Sequence, residues 1–199
     1  ATTGISPDGG CFSYGNGTSY AAPIVSRLGA HIFANIPDCS AELVRAILVH
    51  YADHTNTGIL SEDVLVDLLG NGMPRPEKLL VSDRWHQTFL YQGRINYREI
   101  QRVPFYVPQS LVNRTMRDKV LVTFTVAFSP ETARTLKSGY CKSHISAKIM
   151  RIDSQTGELK DVQAEDNLLR VNEKYGSLVR GTKRFSRNLN PGEWCLRLE

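Results

Sequence analysis

The first long segment with a regular hydrophobic pattern covers residues 18–35. Its apolar residues recur at the i, i+4, i+7, i+11 spacing that places side chains on one face of an α-helix, at Ala21, Val25, Leu28 and Ile32. Further apolar residues beside this stripe widen it, so the pattern predicts a helix that is buried on most sides. The preceding residues, 1–15, are rich in Gly, Ser, Thr and Pro, which predicts a loop after a short strand end.

A second helix is predicted after Ser40, which is a good N-cap residue, with Glu42 placed where a carboxylate suits the helix dipole. One apolar stripe then follows, formed by Leu43, Val44, Ile47, Leu48 and Tyr51. A short third helix is expected over 61–69, followed by a Gly- and Pro-containing turn.

The pattern changes after Asp83. Segments rich in β-branched and aromatic residues are typical of strands, and they occur at 87–91, 97–107, 119–128, 143–152 and 193–198. Their spacing predicts an antiparallel β-sandwich or jelly-roll. Pro104 indicates that its strand lies at a sheet edge or bends. We therefore divide the chain into a mainly helical domain, 1–83, and a β-domain, 84–199.

The charge distribution supports this division. Residues 1–83 carry 4 Lys and Arg against 9 Asp and Glu, and residues 84–199 carry 20 against 11, within a total net charge of +4. The basic part contains no block of five Lys or Arg and no interleaved aromatic residues, so we expect no nucleic-acid partner. No apolar run is long enough to span a bilayer, and no membrane partner is expected.

The spacing of the cysteine and histidine residues indicates whether the chain binds a metal and in which cellular compartment it is found. The four cysteines contain no Cys-x-x-Cys pair and no evident disulfide framework, which favours reduced thiols and a cytoplasmic setting. His50, Asp53 and His54 have a spacing that can place metal ligands on one helix face. No second cluster completes such a site, so we interpret them as a solvated helix end and predict no metal and no cofactor.

The candidate chemistry lies at the start of the first helix, in Asn16-Gly17-Thr18-Ser19-Tyr20-Ala21-Ala22-Pro23. Gly17 permits a tight turn and a close backbone approach. Ser19 falls where unpaired backbone N–H groups and the helix dipole favour negative charge. An oxyanion formed during acyl transfer needs such donors.

This stretch resembles the serine motif of the subtilases, the subtilisin-like serine proteases, whose pattern is Gly-Thr-Ser-x-Ala-x-Pro. The resemblance implies an α/β subtilisin-like catalytic domain, of which residues 1–83 would form the C-terminal portion. It implies a serine endopeptidase that acts on peptides or proteins through an acyl-enzyme on Ser19. It further implies that Thr18 supports the oxyanion and that Asn16 and Gly17 border the substrate cleft.

The other catalytic groups are expected outside this sequence. Subtilisin has the chain order Asp, His, Ser, which places the acid and the base upstream of Ala1, in an N-terminal catalytic portion that this chain lacks. His31 cannot serve as the base, because it lies 12 residues beyond Ser19, about 18 Å along the helix axis. We therefore expect the chain alone to be inactive. The alternative is a non-catalytic pseudoprotease or a protein-binding module that acts through the β-domain.

Overall fold

The computed structural model describes residues 2–5, 12–15, 17–54, 62–75, 78, 86–112, 120–133, 141–162, 166–170, 176–185 and 189–199. The chain forms two compact units, Ala1–Cys39 and Ser40–Glu199. It contains helices and antiparallel sheets. Among the described helices, none combines the length and the apolar character that a membrane-spanning helix requires.

The first unit contains a hairpin and a long helix. Strands β1 (Thr2–Ile5) and β2 (Phe12–Gly15) pair antiparallel, with Thr2 opposite Gly15. The prediction of a loop after a short strand end is therefore wrong at 12–15, where Phe12 and Tyr14 favour an extended strand that pairs with β1. Helix α1 (Thr18–Asn35) follows and confirms the helix predicted from the hydrophobic period.

Helix α1 is more exposed than the sequence pattern indicates. Gly29 and Ile32 are its buried residues, whereas the large apolar side chains of Tyr20, Ile24, Val25 and Phe33 are exposed. The prediction of burial on most sides is wrong for this chain, because the described part of the unit offers only a two-stranded hairpin beside the helix.

The second unit begins with helix α2 (Ala41–His50). The side chain of Ser40 accepts a hydrogen bond from the Leu43 N–H at 3.1 Å, so the predicted N-cap is confirmed. The apolar stripe of α2 is buried at Leu43, Val44 and Ile47. The elements that follow are β3 (Ala52–Asp53), α3 (Glu62–Leu69) and β4 (Met73–Pro74), and β3 pairs antiparallel with β4.

Two larger antiparallel sheets contain the remaining strands. In chain order the elements are β5 (Gln101–Val107), α4 (Gln109–Val112), β6 (Val120–Ala127), β7 (Ala147–Ile152), β8 (Leu159–Asp161), β9 (Asp166–Arg170), β10 (Leu178–Phe185) and β11 (Gly192–Leu198). One sheet has the order β6-β10-β9 and the other β5-β11-β7-β8. Strand β5, which contains Pro104, lies at a sheet edge, as the proline predicts.

One predicted strand is not formed. Residues 87–91 belong to no strand, and their large side chains Phe89, Leu90 and Tyr91 are exposed. Strand propensity reflects packing against neighbouring strands, and in the described part of the chain this segment forms no ladder with any strand.

The main hydrophobic cluster draws residues from both larger sheets. Its buried members are Val107, Ile149, Val162, Phe185, Leu189 and Trp194. A second cluster contains Ile145, Ala147, Val179 and Leu198, and Phe124 packs against both clusters. Period-2 alternation produces this arrangement, because side chains on successive strand residues point to opposite faces.

Helix α2 belongs with the strands. Its His50 side chain is hydrogen-bonded to Thr125 of β6, and the Arg45 guanidinium donates to the Ser177 hydroxyl at 2.8 Å. Glu42 accepts a hydrogen bond from Ser129, which follows β6. Residues 40–54 thus lie in the same compact unit as the sheets, while the domain boundary placed after Asp83 remains a prediction.

We expect Gly181→Ala to destabilise the second unit by about 1–3 kcal/mol, since it adds a methyl group where the core is already filled. Gly181 lies opposite Phe124 in the β10–β6 register, and a Cβ there would stand 2.4 Å from the Phe124 ring. Urea denaturation followed by far-UV circular dichroism measures the change. In the double variant Gly181→Ala/Phe124→Leu the cost should be less than the sum of the two single costs. Additive costs would contradict the proposed clash.

Candidate functional site

The serine motif lies at the start of α1. Gly17 precedes the helix with an extended backbone, Thr18 is the first helical residue and Ser19 the second. All three residues are exposed. The Tyr20 N–H donates to the Gly17 carbonyl at 3.1 Å and closes the first turn. The Ser19 side chain is therefore presented at the surface, at the amino end of a helix of 18 residues.

The local electrostatics at Ser19 favour an anion. The backbone N–H groups of Thr18 and Ser19 lie in the first turn, where no intrahelical carbonyl is within reach. The first turn contains no acidic residue, and Gly17 supplies no capping side chain. The helix dipole is therefore not neutralised by the residues of this turn, and the N–H groups can stabilise a developing oxyanion.

Pro23 modifies the same end of the helix. It is the sixth residue of α1 and has no N–H to donate to the carbonyl of Ser19, four residues earlier. This carbonyl therefore lacks its usual helical hydrogen bond. Pro23 therefore removes one backbone hydrogen bond next to Ser19. Its fixed φ is compatible with the helix, so α1 continues past it.

Within the described residues of the first unit, no histidine lies within reach of Ser19. Residues 1–39 contain one histidine, His31, which lies 12 positions beyond Ser19 on α1, about 18 Å along the helix axis. Asn16, the other expected cleft residue, lies outside the described residues. The described part of the unit thus presents the exposed hydroxyl of Ser19 and the backbone N–H groups of the first turn, with Thr18 beside them.

The histidine at the end of α2 has a different environment from the one expected. His50 Nδ1 lies 3.0 Å from the Thr125 hydroxyl, and its ring meets the Tyr51 ring edge-on at 4.9 Å. Burial, followed by the nearby charges of Arg180 and His86, lowers the pKa of His50 to about 4. The interpretation of a solvated helix end is therefore wrong for His50, because α2 packs its carboxyl end on β6.

Candidate metal ligands do not cluster in the described part of the chain. No group of three or more His, Cys, Asp or Glu side chains is placed there to hold an ion. His54 instead contacts the carbonyl of Gly70 at 2.8 Å through Nε2.

We expect the second unit to lose about 2–3 kcal/mol of stability between pH 7 and pH 4 because of His50. The folded-state pKa of about 4 lies below the ordinary value of 6.5. As the pH falls through this window the unfolded chain binds a proton that the folded chain does not, which favours unfolding. Urea denaturation of His50→Gln at pH 7 and pH 4.5 should show a smaller pH difference than the parent chain. The exposed His144→Gln is the control, and an unchanged pH difference in His50→Gln would contradict this expectation.

Comparison with known proteins bears on the part of the chain that carries Ser19. Residues 1–72 match the subtilase family. The matched stretch contains the serine motif, α1, α2 and α3, and it ends before the two larger sheets. This match supports a relationship with subtilase-like serine proteases over the first 72 of the 199 residues.

One curated relative extends beyond that stretch. The chain is 26% identical over 147 residues to "Uncharacterized protein y4bN" of Sinorhizobium fredii (strain NBRC 101917 / NGR234). The similarity covers 70% of this chain and 33% of the relative, so the chain spans about a third of that protein's length. No solved structure matches the chain.

Proposed function

We propose that this chain is the nucleophile-bearing part of a subtilisin-like serine endopeptidase. The observation that carries the proposal is the exposed Ser19 in the first turn of α1, within a stretch that matches the subtilase family. A hydroxyl in this position reaches solvent and lies beside backbone N–H groups that no helical carbonyl satisfies. The substrate class is a peptide or protein, and no cofactor takes part.

In the proposed reaction the Ser19 hydroxyl oxygen attacks the scissile carbonyl carbon, and its proton passes to a histidine base. The carbonyl oxygen becomes an oxyanion that accepts a hydrogen bond from the Ser19 N–H, with support from the Thr18 hydroxyl. Collapse of the intermediate expels the amine, which takes the proton, and leaves an acyl-enzyme on Ser19. Water then attacks the ester and regenerates the serine. Asn16 and Gly17 border the cleft.

The histidine and the aspartate that orients it are proposed to lie in a portion of the protein that precedes Ala1. The chain order of the family motif requires this arrangement. The exposed apolar side chains of α1, among them Ile24 and Phe33, then provide the surface on which that portion packs. The full protein, rather than this chain alone, is the catalyst, and a cytoplasmic location fits the cysteine pattern.

The larger sheets are proposed to form an accessory domain over residues 84–199, with an antiparallel sandwich or jelly-roll architecture. The hydrophobic cluster around Trp194 and Phe185, to which strands of both sheets contribute, supports a face-to-face arrangement. The exposed side chains of Phe89, Leu90 and Tyr91 favour the alternative function, a protein-binding module that acts through this domain.

Two observations test the proposal. The coding sequence upstream of Ala1 should contain an Asp motif and a His motif of the subtilase type. The isolated 199-residue chain should hydrolyse no peptide substrate, whereas the protein that includes the upstream portion should do so. A full-length sequence without the acid and the base would favour the pseudoprotease alternative. Efficient hydrolysis by the isolated chain would contradict the proposed division of the catalytic groups.

A further inference from the structure

Three cationic residues lie side by side on one face of the four-stranded sheet. In the antiparallel register Arg197 of β11 stands opposite Arg102 of β5 on one side and opposite Lys148 of β7 on the other. Residues that face each other across a ladder project on the same side of the sheet. Adjacent strands are about 4.8 Å apart, so this cation row, Arg102–Arg197–Lys148, spans about 10 Å at the backbone.

The cation row lies on the side of the sheet away from the main hydrophobic cluster. Trp194 and Leu198, the buried neighbours along β11, alternate with Arg197 and therefore project to the opposite side. Arg102 and Lys148 are exposed, and the Arg197 side chain is about one-third exposed. The row is therefore accessible at its two ends and partly accessible at its centre.

The positive charges of the row are incompletely compensated. Within the described part of the chain, Arg102 and Lys148 have no carboxylate partner, while Arg197 pairs with Glu199 at 2.5 Å. Like charges directly opposite each other destabilise a sheet, so the folded chain retains a local repulsion that bound carboxylates would relieve. This surface belongs to a half of the chain in which 20 Lys and Arg outnumber 11 Asp and Glu.

The contact with Glu199 indicates which ligand chemistry the row accepts. The Glu199 carboxylate contacts Nη2 of Arg197, whereas the buried Nε of the same guanidinium has no hydrogen-bond partner among the described residues. Nε and Nη2 lie on one edge of the guanidinium and match the two oxygens of a carboxylate. Glu199 thus holds this edge through Nη2 alone, while the buried Nε is out of reach of a ligand from solvent. A bound carboxylate would therefore contact the accessible donors of Arg102, Lys148 and Arg197.

The next row on the same face is largely apolar. Pro104 and Met150 stand there on either side of Cys195, which is completely buried, and the exposed Tyr106 lies two residues beyond Pro104 on β5. The exposed Pro104 and Tyr106 beside the three cations fit a peptide that carries both acidic and apolar residues. Nucleic acid is less well matched, because its binding surfaces usually combine a longer basic track with several stacking aromatic residues.

We propose that the cation row is a docking site for an extended, carboxylate-rich segment of a partner protein. Alternate side chains of an extended peptide lie about 6.6 Å apart on one side, so two or three carboxylates can reach the row when the flexible cationic side chains are included. The site is independent of the chemistry proposed at Ser19, and its test requires no peptidase activity.

The test measures binding of a fluorescein-labelled octapeptide of alternating Glu and Ala to the 199-residue chain by fluorescence anisotropy in 50 mM NaCl. The Gln–Ala octapeptide is the ligand control. The double variant Arg102→Gln/Lys148→Gln removes both ends of the row. The variant Arg94→Gln/Lys142→Gln removes the same charge from exposed positions outside the three strands. The Arg102→Gln/Lys148→Gln variant relieves repulsion between the cations, so its thermal unfolding midpoint should equal or exceed that of the parent chain. An unchanged or higher midpoint shows that a loss of binding is not caused by a loss of folding.

We expect the Glu–Ala peptide to bind and the Gln–Ala peptide not to bind. The row variant should weaken Kd at least fivefold, and the control variant less than twofold. Equal weakening by both variants would overturn the proposal in favour of general electrostatic attraction, and absence of binding by the parent chain would also overturn it. A fluorescein-labelled oligothymidylate that binds more tightly than the Glu–Ala peptide, and that loses affinity in the row variant, would overturn it in favour of a nucleic-acid site.

Discussion

Substitution of Ser19 by Ala is expected to lower kcat for peptide hydrolysis by about 10⁶-fold in the protein that includes the upstream catalytic portion. Removal of the nucleophile from subtilisin has an effect of this order, because the remaining triad members act only together with it. Ser19 is exposed in the first turn of α1, so the substitution removes one hydroxyl and leaves the packing unchanged. Steady-state hydrolysis of a fluorogenic peptide measures the effect.

Ser110→Ala provides the matched control for this prediction. Ser110 is also exposed and helical, but it lies on α4, outside α1, so the two variants make the same chemical change. We expect Ser110→Ala to retain activity within about twofold of the parent, as surface substitutions usually do. If Ser19→Ala retained a similar activity, Ser19 would not be the nucleophile.

The largest effect on stability is expected from Trp194→Ala, at about 3–5 kcal/mol in the second unit. Trp194 is 1% exposed, its ring lies 5.8 Å from that of Phe185 and 6.2 Å from that of Phe105, and its Nε1–H donates to the Asn190 carbonyl at 3.1 Å. The substitution leaves a cavity and removes a hydrogen bond in the main hydrophobic cluster. Urea denaturation monitored by far-UV circular dichroism measures the loss.

Tyr97→Ala is the control for Trp194→Ala. Tyr97 is an aromatic residue of the same unit, but it is 82% exposed, so its removal creates no cavity. Its effect should stay within about 0.5 kcal/mol. Comparable losses in the two variants would show that the region around Trp194 does not form the stabilising core of the unit.

Sequence patterns predict the elements whose hydrogen bonds join residues that are close in the sequence. The hydrophobic period gave α1, and the capping signal at Ser40 gave the start of α2, because helix hydrogen bonds and caps connect residues three or four positions apart. Strand β10 was missed. Its cations at 180, 183 and 184 obscure the alternation, and its place in the centre of a sheet depends on pairing with β6 and β9.

The surroundings of individual side chains were less predictable for the same reason. His50 comes directly after the apolar stripe of α2, a position that is typical of an exposed helix end. Its hydrogen-bond partner Thr125 is 75 residues away in the sequence, so no local pattern indicates the contact. The cation row likewise depends on the register of three strands from distant parts of the chain. At Ser19 the sequence signal is local, because the glycine, the helix start and the serine occupy consecutive residues.

Fluorophosphonate labelling tests the central claim most directly. The protein that includes the portion upstream of Ala1 should form one covalent adduct, which peptide mass spectrometry should assign to Ser19. The Ser19→Ala variant and the isolated 199-residue chain should remain unlabelled, since one lacks the nucleophile and the other lacks the base. A hydrolytically active protein that is labelled at a different serine, or that is not labelled at all, would contradict the account.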